Sequence, residues 1–346
     1  MDLRPSPAQQ LLVATAREVL SARADEGALW RRMAELGWPG LLVPPELSGS
    51  GGSLLDVVLL VEAMGRAAAP GPFVPSAVIA TSLLLAAGNT DQRKRWLPAM
   101  AAGDRIVTVA LPVDGATAGV KAGRLSGRAL FVQAADVADA VLVAAGPEHE
   151  PALLLVPSDR PGLTRHRLDT IGGDPVFELV FDHVSLGAED RLLASDARAA
   201  LASALDAGAL ARTAEMVGAA QRVLELAVEH AKTRVQGGRP IGGYQAIQHA
   251  CADLVRDVDA SRGLLYAAAW KASEGLPAAA DVAMAKAYAG EACLAVARQG
   301  HQIFGAIGYC EEHPLHMLHK RILAASLDCG DTAQHLETIA RAIGLR

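Results

Sequence analysis

Aromatic residues are scarce in this chain: five Phe, four Trp and four Tyr, 4% of 346 residues. Large rings therefore cannot dominate the core. The 51% hydrophobic content rests instead on Ala, Leu and Val, side chains that let helices pack at short distance. Cysteine is equally sparse. Cys251, Cys293, Cys310 and Cys329 all fall in the last third with no Cys-x-x-Cys spacing, which argues against a disulfide frame or a zinc site and for reduced thiols in a cytoplasmic protein. There is no basic block among the 32 Lys+Arg and 38 Asp+Glu, and a formal net charge of -6 makes nucleic acid a poor partner. No apolar run reaches membrane length. The longest uncharged stretch, Ala67 to Thr90, is interrupted by Pro70, Pro72 and Pro75, and its unbroken apolar part, Ala77 to Ala87, falls short of the roughly 20 residues a span requires. The opening residues lack the basic, apolar, small-residue order of a secretory signal. A Gly-x-Ser-x-Gly elbow is also missing, so hydrolase chemistry has no nucleophile to start from.

What is present divides the chain into three textures. Residues 1–104 read as helices: Gln9 to Ala22, Gly27 to Leu36, Leu54 to Arg66, Pro75 to Ala87 and Asp91 to Ala102 carry apolar residues at three- and four-residue spacing. A turn-rich string, GWPGLLVPPELSGSGGS, separates the second from the third. From 105 to 192 short β-rich runs alternate with turn residues, and in FELVFDHV the apolar Phe177, Leu179 and Phe181 alternate with Glu178, Val180 and Asp182. A small antiparallel sheet domain, barrel or sandwich, is expected there. From 193 to 346 helical periodicity returns in long segments: Leu205 to Arg234, Gln245 to Glu274 and Pro277 to Gly300, followed by two shorter ones. Helices of this length bury their apolar faces on one another, as in a four-helix bundle.

Several strings resemble those of the acyl-CoA dehydrogenase family of flavoproteins, across essentially the whole chain. AEMVGAAQRVLELAVEHAKTRVQGGRPIGGYQAIQHACADL (Ala214 to Leu254) is similar to the segment joining the first two bundle helices, and WRRMAELGWPGLLVPPELSGSGGS and QIFGAIGYCEEHPLHMLHKRI resemble further family segments. The resemblance implies the family's fold: a helical N-terminal domain, a β middle domain and a C-terminal four-helix bundle. It also implies FAD as cofactor and α,β-desaturation of an acyl-CoA thioester, in which a carboxylate takes the α-proton and the β-hydrogen leaves as hydride to the flavin.

Against that pattern the residues are a mixture. The family's glutamate before the last helix corresponds to Cys329 in SLDCGDTAQ, and the alternative glutamate of a second subgroup, on the first long bundle helix, corresponds to Gly208 in ALDAGALAR. Neither position holds a carboxylate. Asp328 and Asp331 flank Cys329, and Asp328 is the weak candidate for a displaced base; loop solvation is the plainer role for both. Glu215 reads as a surface or inter-helix charge. The strings at Val109 to Gly119 and Gly127 to Ala140 do not keep the family's cradle for the flavin ring. The other half of the family's FAD site, which serves a neighbouring subunit, is partly kept. Arg234 stands in RVQGGRPIG with Gly237 in place of a stacking aromatic, and Gln302 stands in QIFGAIGY with Ala306 in place of a glycine. An arginine beside a Gly-Gly turn suits a pyrophosphate, although it equally suits a helix C-terminus. The implied cofactor set is Arg234, Gly238, Gln302, Gly305 and Gly308.

Some bacterial acyl-CoA dehydrogenases, notably those acting on steroid side-chain thioesters, are heterotetramers in which one chain lacks the base. This chain resembles the second kind, with a related subunit as partner, or itself in a dimer of dimers. A homologue that has lost flavin and activity is the alternative. The small residues from Gly208 to Ala211 are compatible with space for a bulky acyl group. His313, His316 and His319 drift around a helix rather than converging on a metal, so solvated or interface roles are expected. GSGG at Gly49 to Gly52 lacks the Lys-Ser/Thr ending of a phosphate loop and reads as a plain turn.

Overall fold

The structure is a computed structural model, and it describes residues 4–21, 25–113, 116–147 and 150–345. Asp114 and Gly115 of the first flavin-cradle string lie outside the described residues. The N-terminal helices are α1 (Pro7–Ser21), α2 (Glu26–Glu35), α3 (Leu54–Arg66), α4 (Thr81–Ala87) and α5 (Thr90–Ala101). Their starts are written in the sequence. Asp25 accepts a hydrogen bond from the Ala28 amide, and Ser53 with Asp56 and Asn89 with Gln92 each form a reciprocal capping box.

The helix expected from Pro75 begins earlier and differently. Phe73–Ala80 is a π-helical run whose eight residues are all buried, and it leads directly into α4. A wider turn accommodates Pro75, which has no N–H to give. It also anchors the next region, since the Val107 amide donates to Ser76 Oγ at 3.1 Å.

The middle region holds β1 (Val107–Ala110), β2 (Ala118–Lys121), β3 (Arg124–Gln133), β4 (Ala140–Ala145), β5 (Ala152–Pro157), β6 (Leu163–Leu168) and β7 (Val176–Ser185). They form two sheets, ordered β1-β4-β5 and β2-β3-β7-β6. The second is antiparallel throughout, as expected, but β1 pairs with β4 in parallel. The hairpin β2–β3 belongs to the other sheet, so the chain returns to the first one running the same way. Phe177, Leu179 and Phe181 are buried on one face of β7, as their alternation predicts. β4 is buried at all six positions, because its sheet lies between the second sheet and the helices. That explains its unbroken apolar run.

The C-terminal region consists of α6 (Ala197–Thr233), a two-stranded ribbon β8 (Val235–Gln236) and β9 (Arg239–Pro240), α7 (Gln245–Ser273), α8 (Ala279–Phe304), α9 (Leu315–Leu327) and α10 (Thr332–Ala342). α6 starts well before Leu205, at the Asp196 cap. It is the axis of the molecule and packs on α3, α7, α8 and α9. The approach of α3 to α6 depends on Gly65 and Gly218: a Cβ at the first would run into the Glu215 backbone, and one at the second into the Glu62 backbone. Such backbone-to-backbone contact is what an alanine-rich, aromatic-poor composition allows. Among the described residues no helix is long and apolar enough to cross a membrane.

Candidate functional site

Gly208 and Cys329 lie 121 positions apart in sequence and meet in space. Gly208 sits on α6, and Cys329 in the turn between α9 and α10. A methyl carbon placed on Gly208 would stand 2.8 Å from Cys329 Sγ and 2.9 Å from the side chain of Ile79. The two sites therefore converge on one point, and that point is packed shut. The space for a bulky group expected along Gly208 to Ala211 is absent, since Gly208, Ala209, Leu210 and Ala211 are all buried in contact with their neighbours.

The turn carrying Cys329 is held from several sides. Cys329 has a left-handed backbone, φ 55°, and the buried Lys286 donates to the carbonyls of Ser326 (2.9 Å) and Gly330 (2.7 Å). His335 Nε2 lies 3.0 Å from the Cys329 carbonyl. Burial, reinforced by the neighbouring Asp328, pushes the thiol far up, so it stays protonated. Burial pushes Lys286 down to about 8.

Asp328 is fully engaged. Its Oδ2 accepts from Arg212 Nε (2.7 Å) and Gln133 Nε2 (2.9 Å), and its Oδ1 accepts from the Cys329 amide (3.0 Å). Burial alone would raise it, but the Arg212 cation, the hydrogen bonds from Arg212 and Gln133 and the nearby Lys286 together outweigh burial and hold the carboxyl below its ordinary value. A carboxylate so stabilised is a poor proton acceptor. Asp328 stays partly exposed, 30% of its side chain, while making these contacts. Asp331 caps α10, accepting from the Gln334 amide at 2.9 Å.

From Asp328 the polar contacts continue across the molecule. Arg212 Nη1 donates to Glu215 Oε2 at 2.6 Å and its Nη2 to the Gln133 side chain. Arg321 on α9 donates to Glu215 Oε1 (3.0 Å), to both oxygens of Asp174 (2.6 and 3.0 Å) and to the Ala69 carbonyl (2.8 Å). Glu215 is thus an inter-helix charge, buried between α6 and α9. The network ties all three regions together and leaves a cavity of about 20 Å³, room for one water. Arg212, Arg321, Gln133 and Asp174 were not singled out by sequence. The legible signal was Arg212 with Glu215, one turn apart in an otherwise small and apolar stretch of α6.

The other end of the bundle is open. Arg234 follows α6 directly, and the ribbon beyond it turns on Gly237 and Gly238, both left-handed at φ 57° and 82°. A Cβ on Gly237 would strike the Tyr244 hydroxyl. Tyr244 donates to the Gln236 carbonyl (2.9 Å), and the Arg239 guanidinium lies 4.1 Å from its ring centre. An aromatic face is therefore present beside Gly237, contributed from seven residues on. Gln302 lies in the last turn of α8, and Gly305, at φ 66°, ends that helix. His230 on α6 stacks on Phe304 of α8 with ring centres 4.5 Å apart, bringing Arg234 and Gln302 to the same end. Arg234, Gly238, Gln302 and Gly305 are exposed there, with nothing near a Cβ at Gly238 or Gly305. Gly308 is buried against Phe304 and Leu315 and shapes the turn rather than the surface.

Residues 198–344 match the family model described as acyl-CoA dehydrogenase, C-terminal domain, and residues 7–104 match the N-terminal domain of the same family. The chain is 32% identical over 328 residues to acyl-CoA dehydrogenase FadE27 of Mycobacterium tuberculosis, covering 90% of this chain and 87% of the relative. Among solved structures it superposes on the ChsE4-ChsE5 complex of Mycobacterium tuberculosis with a TM-score of 0.91 at 30% identity, over all of both chains. It likewise superposes on the Tcur3481-Tcur3483 steroid ACAD with a TM-score of 0.89 at 29% identity, over 98% of each chain.

Proposed function

The chain belongs to the acyl-CoA dehydrogenase family, and from that premise we propose that it is the base-deficient subunit of such an enzyme, sharing an FAD site with a partner chain. The family's members are flavoproteins, oxidoreductases acting on CH–CH donors. The observation that carries the proposal is the convergence of both family base positions on one packed point that holds a glycine and a protonated thiol. Neither carboxylate flanking Cys329 is free to take an α-proton, since Asp328 is committed to Arg212 and Asp331 to a helix cap.

FAD, when bound, accepts the hydride. The residues of this chain fit one end of it and not the other. At the open end, Arg234 offers a cation, the Gly237-Gly238 turn offers unobstructed amides, and Tyr244 offers an aromatic face in place of the missing one. At the closed end, Gln133, Arg212 and Asp328 satisfy one another and present no free donor to a flavin ring. This division suits a chain that helps hold a cofactor whose reacting ring lies in a partner. ChsE4-ChsE5 is a complex of two named proteins, which supports a partner of the same family.

A purely structural subunit is the second reading, and the filled centre favours it as much as the first. The two separate on Arg234→Ala in a complex co-expressed with a base-containing homologue. Loss of flavin absorbance from the complex supports the shared site, and unchanged flavin supports the structural role.

A further inference from the structure

Five histidines gather where α6, α8 and α9 end or begin, and beyond the His230–Phe304 stack none has a role in the reading above. They form two ring stacks that share a neighbourhood. In the first, His230 of α6 and His313, just before α9, lie against Phe304 at 4.5 and 4.4 Å. In the second, Tyr309 and His319 of α9 lie against the buried His301 of α8 at 4.7 and 5.1 Å. His316 completes the set, with Nε2 3.0 Å from the Glu311 carbonyl and Nδ1 buried without a partner among the described residues.

Everything charged that faces these rings is positive. Arg234 acts on His230 from the end of α6, and Arg298 acts on His319 from α8. His313 also feels His230, His301 and His316. Among the described residues no carboxylate pairs with any of the five, and Glu311 and Glu312 on the intervening turn are exposed. Burial, and then these like charges, holds His230, His313 and His319 below the ordinary 6.5. His301 is lowered by burial as well. The neutral cluster is therefore a compact set of stacked rings, whereas the protonated cluster would place several cations within about 5 Å with nothing to offset them.

We propose that this cluster is an acid-sensitive latch, which closes the turn from Gly305 to Pro314 onto α6 when its histidines are neutral and releases it when they are protonated. The sign follows from linkage. A histidine whose folded value lies below its unfolded value costs stability once the pH falls beneath the unfolded value, and the cost grows until the folded value is reached. The latch is thus fully closed above about pH 6.5 and opens below it. Opening would move Gly305, at the start of the turn, so the turn would also loosen its hold on a bound cofactor. That consequence rests on the shared-site reading; the latch itself does not.

Hydrogen exchange on the full chain tests it without flavin. After correction for the intrinsic rate, amides from Gly305 to Leu318 should exchange at least about tenfold faster at about pH 5.5 than at about pH 7.5, while β4 and β5 are unchanged. His301→Phe with His313→Phe keeps the rings and removes two titrating groups, and should flatten that response. Should the variant fail to fold, proton NMR of the wild-type imidazoles replaces it, with His230, His301, His313 and His319 titrating below 6.5 in overlapping steps. Equal protection at both pH values, an undiminished response in the double variant, or ordinary independent titrations would overturn the latch. In a flavin-loaded complex, tighter flavin retention at low pH would overturn it too. A chain that never holds flavin yet shows the exchange response would remove the shared site and leave the latch standing.

Discussion

The centre and the open end of the bundle treat charge in opposite ways. At the centre, around Gly208 and Cys329, the charged groups of the joint are buried or half-buried and spent on other protein groups: Arg212 on Glu215 and Asp328, Arg321 on Asp174 and Glu215, Lys286 on two carbonyls. At the open end, Arg234 and Gln302 are exposed and flanked by glycines. A site that acts on a ligand needs unspent groups facing a space. Here Arg234 and Gln302 stand exposed and unspent at the open end, while the centre, where proton transfer is expected in this family, has become a joint between three regions.

The sharpest way to break that contrast is at the joint. Arg212→Met leaves Glu215 and Asp328 buried with one partner fewer, and is expected to cost about 3–5 kcal/mol. Urea unfolding measures it, and a loss below about 1 kcal/mol would mean that the joint is not what holds the regions together. Next comes Lys286. With its folded value near 8 against an ordinary 10.5, it opposes folding while charged, so the wild type should gain up to about 3 kcal/mol between pH 8 and 10.5 relative to Lys286→Met. Paired thermal melts across that range check the sign, and a difference that shrinks or stays level as pH rises contradicts it. Gly208→Glu is expected to destabilise by about 1–3 kcal/mol through overpacking against Cys329 and Ile79, without conferring exchange of an acyl-CoA α-proton. Exchange with retained stability would show that the centre is open after all. The smallest stability effect belongs to the open end. Arg234→Ala should move the melting midpoint by no more than a surface substitution does, within about 0.5 kcal/mol, whatever it does to flavin.

The same contrast separates what was legible in the sequence from what was not. Helices with a cap and a 3.6-residue period could be read directly, as could the alternation of Phe177, Leu179 and Phe181. The parallel pairing of β1 with β4 could not, because it depends on a hairpin leaving for another sheet, and β4, buried on both faces, shows no alternation. Single positions matched to a family, Gly208 and Cys329, were readable as letters. That they touch is a fact of three dimensions. The joint was invisible for the same reason: Gln133, Asp174, Arg212 and Arg321 come from four separate elements, and only the Arg212–Glu215 spacing hinted that a charge was buried. The stacking of the histidines could not be read, since periodicity on one helix says nothing about rings arriving from α6 and α8.

The most direct measurement is the flavin content and turnover of this chain purified alone, compared with the chain co-expressed with a base-containing homologue. A base-deficient, site-sharing subunit predicts little flavin and no acyl-CoA dehydrogenation alone, with both restored in the complex. Stoichiometric FAD and turnover by the chain on its own would contradict it.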